Sequence, residues 1–429
     1  MENLKLNFMD LDNVISNDVW KESLNENQKY LEHIIENLHE LKNKNEAKED
    51  IGWLNIDEWS NNQILNKITD RANYVQQTSD LFVLIGVGGS NQAARSVIDS
   101  LGVRKNGIEV VYAGNNLSSH YIQKILQYCE NRSVHINVIA KNFETLEPGL
   151  SFRVFREFLY KKYGEEAKNR ITVTGTKGSL LEELAIEYGY YFLDFPDNIG
   201  GRFTALSEVG LFPMAVAGLD IQSMITGAKQ LQKELESSNI ENIAFQYAVY
   251  RNELLKKGFA IEGLAFFEPQ LYYFSKWWVQ LFAESEGKEG KGIFPVSLNY
   301  TEDLHSVGQY VQEGQRFLFE TFIHIQDKQQ DLTIKKDMLN DRFDYLDNKS
   351  LNAVNDIAFQ ATLAAHSNDG IPCNRIILPE LNEFYYGQLF YFFEFSVYVS
   401  GLILGVNPFN QPGVENYKQI MFKGLERSF

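Results

Sequence analysis

Residues 81–96 read LFVLIGVGGSNQAARS. Five apolar residues, Leu81 to Ile85, run into three glycines, Gly86, Gly88 and Gly89, and then into helical spacing. A short apolar run closed by glycine predicts a buried strand, a tight loop and a helix. The same grammar recurs in IEVVYAG (108–114), INVIA (136–140), ITVTG (171–175) and YYFLDF (190–195), with helical stretches between. Strands alternating with helices predict an α/β fold, a mainly parallel sheet covered on both faces. A weaker second series, GLAFFEP (263–269), RFLFETFIHI (316–325) and NRIILPEL (374–381), predicts a second α/β layer structure starting near residue 230. Residues 20 to about 50 read as helical, closing on the charged run LKNKNEAKED (41–50), a solvated face and loop. The apolar tail from Asn382, interrupted by Glu and Tyr, reads as one long helix buried between domains or subunits and not as a membrane span. The expected division is 1–50 (N-terminal helical segment), 51–228 (first domain), 229–381 (second domain) and 382–429 (C-terminal helices).

Composition narrows the function. The chain has 429 residues, 44% hydrophobic and 13% aromatic, ample for two or three cores. Forty basic against 57 acidic residues give a net charge of -17, which disfavours nucleic acid and anionic membrane as partners. An anionic ligand therefore needs a local positive site. Two cysteines, Cys129 and Cys373, make no disulfide framework or thiolate metal cluster, and the N-terminus has no apolar run of signal length. A soluble cytoplasmic chain is expected.

Several segments carry candidate chemistry. Gly86, Gly88 and Gly89 lead from the strand into a helix and would let backbone N–H groups approach an anion at its N-terminus. Ser90 reads equally as an N-cap. Asn91 stands where a dinucleotide fingerprint needs glycine or alanine, which argues against a nicotinamide cofactor. DNIGGRFTALSEVG (197–210) places Arg202 after two glycines, either as a surface loop arginine or as a fork for an oxyanion. In WWVQLFAESEGKEGKGIFP (277–295) an apolar helix is expected to end at Ala283, with Glu284 next. Desolvation by Trp277, Trp278 and Phe282 would tune such a carboxylate for proton abstraction; the plain alternative is a charged helix end. EDLHSVGQYVQEG (302–314) holds His305 in the polar start of a helix, suited to shuttling protons near neutrality. His33 and His39 do not share a helical face, so no metal site is expected. Lys418, in LGVNPFNQPGVENYKQIMF (404–422), reads by itself as a solvated helix residue. INVIAKNFETLEP (136–148) is a strand end, loop and helix start near Pro148, an anion cradle that nevertheless contains Glu144.

From about residue 51 onward the wording of GVGGS, GGRFTALSEVGLFPMAVAGLD, ESEGKEGKGIFP, DLHSVGQY and NPFNQPGVENYK resembles the bacterial type of the glucose-6-phosphate isomerase family. The resemblance implies two sugar-isomerase α/β/α sandwich domains, a homodimer with active sites built from both subunits, and a cofactor-free aldose–ketose isomerisation of glucose 6-phosphate and fructose 6-phosphate through a cis-enediol. By the resemblance, Glu284 is the base, His305 helps open the ring from the neighbouring subunit, Lys418 lies near the ring oxygen and Arg202 stabilises the enediolate. Gln411 contacts substrate, and Glu147 orients the histidine. Gly89, Ser90, Lys141, Asn142 and Thr145 would bind the phosphate. The family's other hydroxyl positions are occupied here by Ala140, Glu144 and Leu146, and Asn410 replaces the usual acid before Gln411. This motivates a different C6 group, such as a sulfonate, or an unphosphorylated hexose; a non-catalytic sugar-phosphate binder is a further alternative. Glu284→Gln is expected to abolish C2-proton exchange and Glu286→Gln to leave it.

Overall fold

The computed structural model describes residues 1–43, 50–339 and 341–425. The expected end of the first charged run at 44–49 lies outside them. Among the described residues ten strands occur in chain order: β1 (Lys5–Phe8), β2 (Leu81–Ile85), β3 (Glu109–Ala113), β4 (Val134–Ile139), β5 (Ile171–Gly175), β6 (Tyr191–Asp194), β7 (Ile261–Phe266), β8 (Phe294–Asn299), β9 (Leu318–Asp327) and β10 (Cys373–Glu380). They form two sheets, β3-β2-β4-β5-β6 and β1-β10-β9-β7-β8. Every pairing is parallel except that of β1 with β10. The α/β sandwich expected from the strand runs is therefore present twice. Leaving aside the outer strands β6 and β1, both sheets repeat one order, β3-β2-β4-β5 and β8-β7-β9-β10.

Residues of β2, β4 and β5 are buried throughout, as parallel strands covered on both faces require. The period of two splits β2 cleanly. Phe82 and Leu84 enter the large core shared with the second sheet, while Leu81, Val83 and Ile85 enter a separate core on the other face. Strand order reverses about β2 and β4, and the crevice beyond the C-terminal strand ends at such a reversal is where open α/β sheets bind ligands.

The two layer structures are joined by helices. Tyr272–Glu286 packs on Gly89–Leu101, and Ile221–Leu235 packs on Glu383–Leu404. The expected boundary at residue 228 falls inside the helix Ile221–Leu235. Glu383–Leu404 is long and apolar enough to cross a membrane by composition, yet 83% of its most apolar window is buried in the protein. It is a core helix, capped by the Asn382 side chain accepting from the Tyr385 N–H at 3.1 Å. Two strands were not expected. β1 adds an edge to a segment read only as helix, and β8 begins Phe294-Pro295; both lie at edges of the second sheet, where half-buried strands show no continuous apolar run.

Candidate active site

The glycine loop after β2 is a packing device first. Gly88, the N-cap of the helix Gly89–Leu101, takes φ 59°, and a Cβ there would meet the Gln280 amide nitrogen at 2.6 Å. A Cβ on Gly89 would lie 1.9 Å from the Gly201 carbonyl oxygen. Only glycine lets the turn Gly201–Phe203 approach this closely, and that turn carries Arg202. Ser90 is thus not the N-cap expected; it is buried inside the first helical turn.

Arg202 is not a surface arginine, being 1% exposed. Its Nε donates to Ser285 Oγ at 2.8 Å, Nη1 to Glu284 Oε2 at 3.2 Å, and Nη2 to the carbonyls of Pro408 and, at 3.5 Å, Asn410. The Trp277 indole N–H donates to the Arg202 carbonyl at 3.2 Å. Burial pushes the guanidinium below its ordinary pKa and Glu284 pulls it back, so it remains a cation. Four of its five N–H groups are engaged in these bonds, leaving one on Nη1, the nitrogen beside Glu284.

Glu284 lies in the last turn of the helix Tyr272–Glu286, which continues past the expected end at Ala283. Its side chain is 32% exposed, and Oε1 accepts from Gln280 Nε2 at 3.3 Å. Trp277, Trp278 and Phe282, expected to desolvate it, are themselves fully buried in the core, so Glu284 faces Arg202 and solvent. Glu286 is a different kind of residue. It is fully buried on Arg251, whose Nε also donates to Glu262 at 2.6 Å. It is therefore a poor innocuous control.

Sequence reasoning missed Lys288. Its Nζ donates to the carbonyls of Ser285, at 3.0 Å, and Asn407. Burial, reinforced by the Arg202 charge, lowers its pKa to about 8. Together with Lys291, which donates to the Leu404 carbonyl at 3.1 Å, Lys288 and Arg202 tie the backbone of 404–410 to the helix end that carries Glu284. The signal was a lysine four residues after a candidate base, inside a run rich in Gly and Glu.

The loop after β4 supplies the anion-binding candidates. Lys141 donates to the Ile199 carbonyl at 3.2 Å, next to the arginine turn, and lies 3.6 Å from Asp50. Thr145 is the N-cap of the helix Leu146–Tyr163, with no side-chain cap bond, and Glu147 falls in its first turn. The helix starts two residues before Pro148. Asn142, Glu144 and Thr145 are exposed; Ala140 is buried and Leu146 partly so. Phe143 holds φ 52°, a left-handed conformation at a non-glycine residue, with its ring edge-on to Phe152 at 5.9 Å.

Three expected residues stand apart from the Glu284–Arg202 pair. His305 ends the short turn Glu302–His305 and is exposed. Lys418 pairs with Glu415 at 2.8 Å on the exposed helix Glu415–Gly424. Gln411 is exposed beside Asn410, whose carbonyl Arg202 holds. A wide cavity of about 490 Å³, lined by Trp59, Lys67, Lys177, Asp194 and Glu208 among others, contains none of the expected site residues.

Two α/β/α units of matching strand order, joined by buried helices and carrying a carboxylate–arginine pair, define a double sugar-isomerase fold. A solved structure of a hypothetical protein from Thermus thermophilus shares it with a TM-score of 0.88 at 24% identity, covering 99% of this chain and 100% of that one. A glucose-6-phosphate isomerase from Chlamydia trachomatis shares it at 0.72 and 19% identity, covering 86% and 74%. The family model described as phosphoglucose isomerase matches residues 69–427, and the chain belongs to that family. Among curated relatives, the glucose-6-phosphate isomerase of Staphylococcus saprophyticus is 45% identical, covering 91% of this chain and 90% of its own, and that of Clostridium tetani 43%, covering 92% and 91%.

Proposed function

We propose that the protein is an aldose–ketose isomerase interconverting glucose 6-phosphate and fructose 6-phosphate. The carrying observation is the half-open Glu284 carboxylate held by a buried Arg202 that keeps one N–H unengaged. On the open-chain aldose, Glu284 removes the C2 proton. The C2–H electron pair becomes the C1–C2 double bond, the carbonyl pair moves to O1, and Arg202 stabilises the developing enediolate, a use of preorganised positive charge worth a few kcal/mol. O1 takes up a proton and O2 gives up its own, the O2–H pair becomes the C2 carbonyl as the C1–C2 double-bond pair takes the proton back at C1, and the reaction completes without a redox partner. Lys141, Asn142, Thr145, Ser90 and Gly89 bind the phosphate at the two strand ends. Glu144 stands exposed to water there, so it opposes the phosphate weakly. A sulfonated or unphosphorylated hexose and a non-catalytic binder gain no support from this site.

The exposure of His305 and of Lys418 fits a homodimer in which His305 completes the site of the neighbouring subunit, with Glu147 orienting it, while Lys418 and Gln411 close over the sugar; an isomerase of this family is proposed to work in the cytoplasm. The division into two sugar-isomerase domains, an N-terminal segment and C-terminal helices goes with this reading, with the boundary between the two domains moved from residue 228 to outside the helix Ile221–Leu235. A coupled assay in deuterated solvent tests it. Wild type is expected to isomerise glucose 6-phosphate and exchange its C2 proton, Glu284→Gln to lose both by about 10²- to 10⁴-fold, and Glu289→Gln, an exposed surface change, to retain both. Unaltered exchange in Glu284→Gln removes Glu284 from the role; no turnover of either sugar phosphate by wild type removes the function.

A further inference from the structure

Glu394 lies in the middle of the helix Glu383–Leu404, 1% exposed, and neither carboxylate oxygen has a hydrogen-bond partner among the described residues. Burial alone raises its pKa well above the carboxylate range, and none of the described ion pairs involves it. An unpaired buried carboxylate is strongly unfavourable, so the group rests as a neutral acid with one O–H donor and one carbonyl acceptor.

Three more buried polar atoms without protein partners belong to side chains lining the same small cavity: the indole N–H groups of Trp53 and Trp59, and Asn55 Oδ1. The cavity leaves about 10 Å³ for the centre of a water molecule, near the minimum for one and too little for any larger ligand. With Glu394 protonated the set holds three donors and two acceptors. A single tetrahedral water accepts two hydrogen bonds and donates two, which serves all but one of these groups. The cavity is also lined by Ile199, Phe203, Leu206 and Ser207, from the segment that contains Arg202. Trp53 stacks on Phe203 with centroids 5.1 Å apart and planes at 17°, and the Ile199 carbonyl receives Lys141.

We propose that this cavity binds one ordered water between Glu394, Trp53, Trp59 and Asn55, and that the water and the Glu394 carboxyl position the segment 199–207 that carries Arg202. Glu394 is a positioning residue; it acts on the reaction only through Arg202. Water binding stands on the geometry alone, while the effect on turnover rests on the isomerase reading above.

The test uses the full chain. A high-resolution crystal structure of the wild type is expected to show one water within hydrogen-bond distance of Glu394 and at least one indole, and infrared spectra a protonated-acid carbonyl band that Glu394→Gln removes. Glutamine keeps a neutral donor and acceptor, so kcat in Glu394→Gln is expected within about threefold of wild type. Glu394→Leu, of similar size but without polar atoms, is expected to lower kcat about 10- to 100-fold with a smaller change in KM, because Arg202 is displaced and the phosphate contacts are not. A cavity without water in the wild type, an ionised Glu394, or wild-type kcat in Glu394→Leu overturns the proposal. Should the leucine variant fail to fold, the wild-type density and the infrared band decide it. An inactive wild type with the water present overturns the isomerase reading and leaves the site standing.

Discussion

Glu284 and Glu286 stand two residues apart at one helix end, and each meets an arginine. Arg202 touches Glu284 through one N–H at 3.2 Å, and the carboxylate remains 32% exposed. Arg251 grips Glu286 with both terminal nitrogens and Glu262 with Nε, and all three side chains are 0% exposed. Tyr247 and Thr321 add hydrogen bonds to Glu262, and Ser400 Oγ accepts from Arg251 at 3.0 Å. Burial opposes the Arg251 charge, but Glu262 and Glu286 outweigh it and raise the guanidinium above its ordinary pKa. The sealed, charge-paired network holds the architecture, and the half-open pair is free to do chemistry. Chemical type is the same in both, and each arginine engages four of its five N–H groups; what differs is that one carboxylate is open to solvent and the other is sealed.

The largest test breaks the comparison from the structural side. Arg251→Met leaves two buried carboxylates without their cation and is expected to cost about 3–5 kcal/mol, read as a large fall in the urea midpoint. Glu284→Gln is expected to change stability by less than about 1 kcal/mol while abolishing turnover, since its partner bonds are few and long. If Arg251→Met unfolds no more easily than Glu284→Gln, the division of labour is wrong.

Arg202→Met is expected next, with kcat reduced about 10²- to 10³-fold. Some stability is lost too, because the Pro408 and Asn410 carbonyls lose their donor. A variant that loses stability alone makes Arg202 merely architectural.

Lys288 sharpens the comparison through pH. Its folded pKa is lowered from 10.5 to about 8, so between these values the unfolded chain holds a proton that the folded chain has released. Stability from this group therefore rises as pH increases from about 8 to 10.5, and is lost as pH falls back through 8. Activity moves the opposite way. Loss of the ammonium weakens the hold on Asn407, and kcat/KM is expected to fall about two- to tenfold on the alkaline side, with Lys288→Arg carrying that limb to higher pH. An alkaline limb unmoved in Lys288→Arg assigns it to another group. Smallest is Glu144→Thr: for an exposed carboxylate, KM for the phosphate ester is expected to fall by no more than about fivefold.

Much of this was legible in the chain. β2, β4 and β5 announced themselves because burial on both faces demands unbroken apolar runs. β1 and β8 did not, because edge strands are only half covered and tolerate Asn7, Pro295 and Ser297. The neighbours of Arg202 and Glu284 in sequence single both out, yet the helix runs to Glu286 and not to Ala283, since nothing local shows that Glu286 is drawn inward by Arg251. The glycines before Ser90 were read as an anion loop; their first task is to admit the Gly201 carbonyl.

By itself the sequence determined the parallel cores of the two sheets, the loops at their strand ends and the residue types available there, because these follow from local periodicity and from motifs a few residues long. Tertiary structure alone decided which glutamate is open and which is sealed, that the Lys288 pKa is lowered, and that Glu394 lines one small cavity with Trp53, Asn55 and Trp59. Each of those properties is an energy of burial and charge set by partners far along the chain, 202 with 284, 251 with 286, 53 to 59 with 394, and only folding brings them within reach.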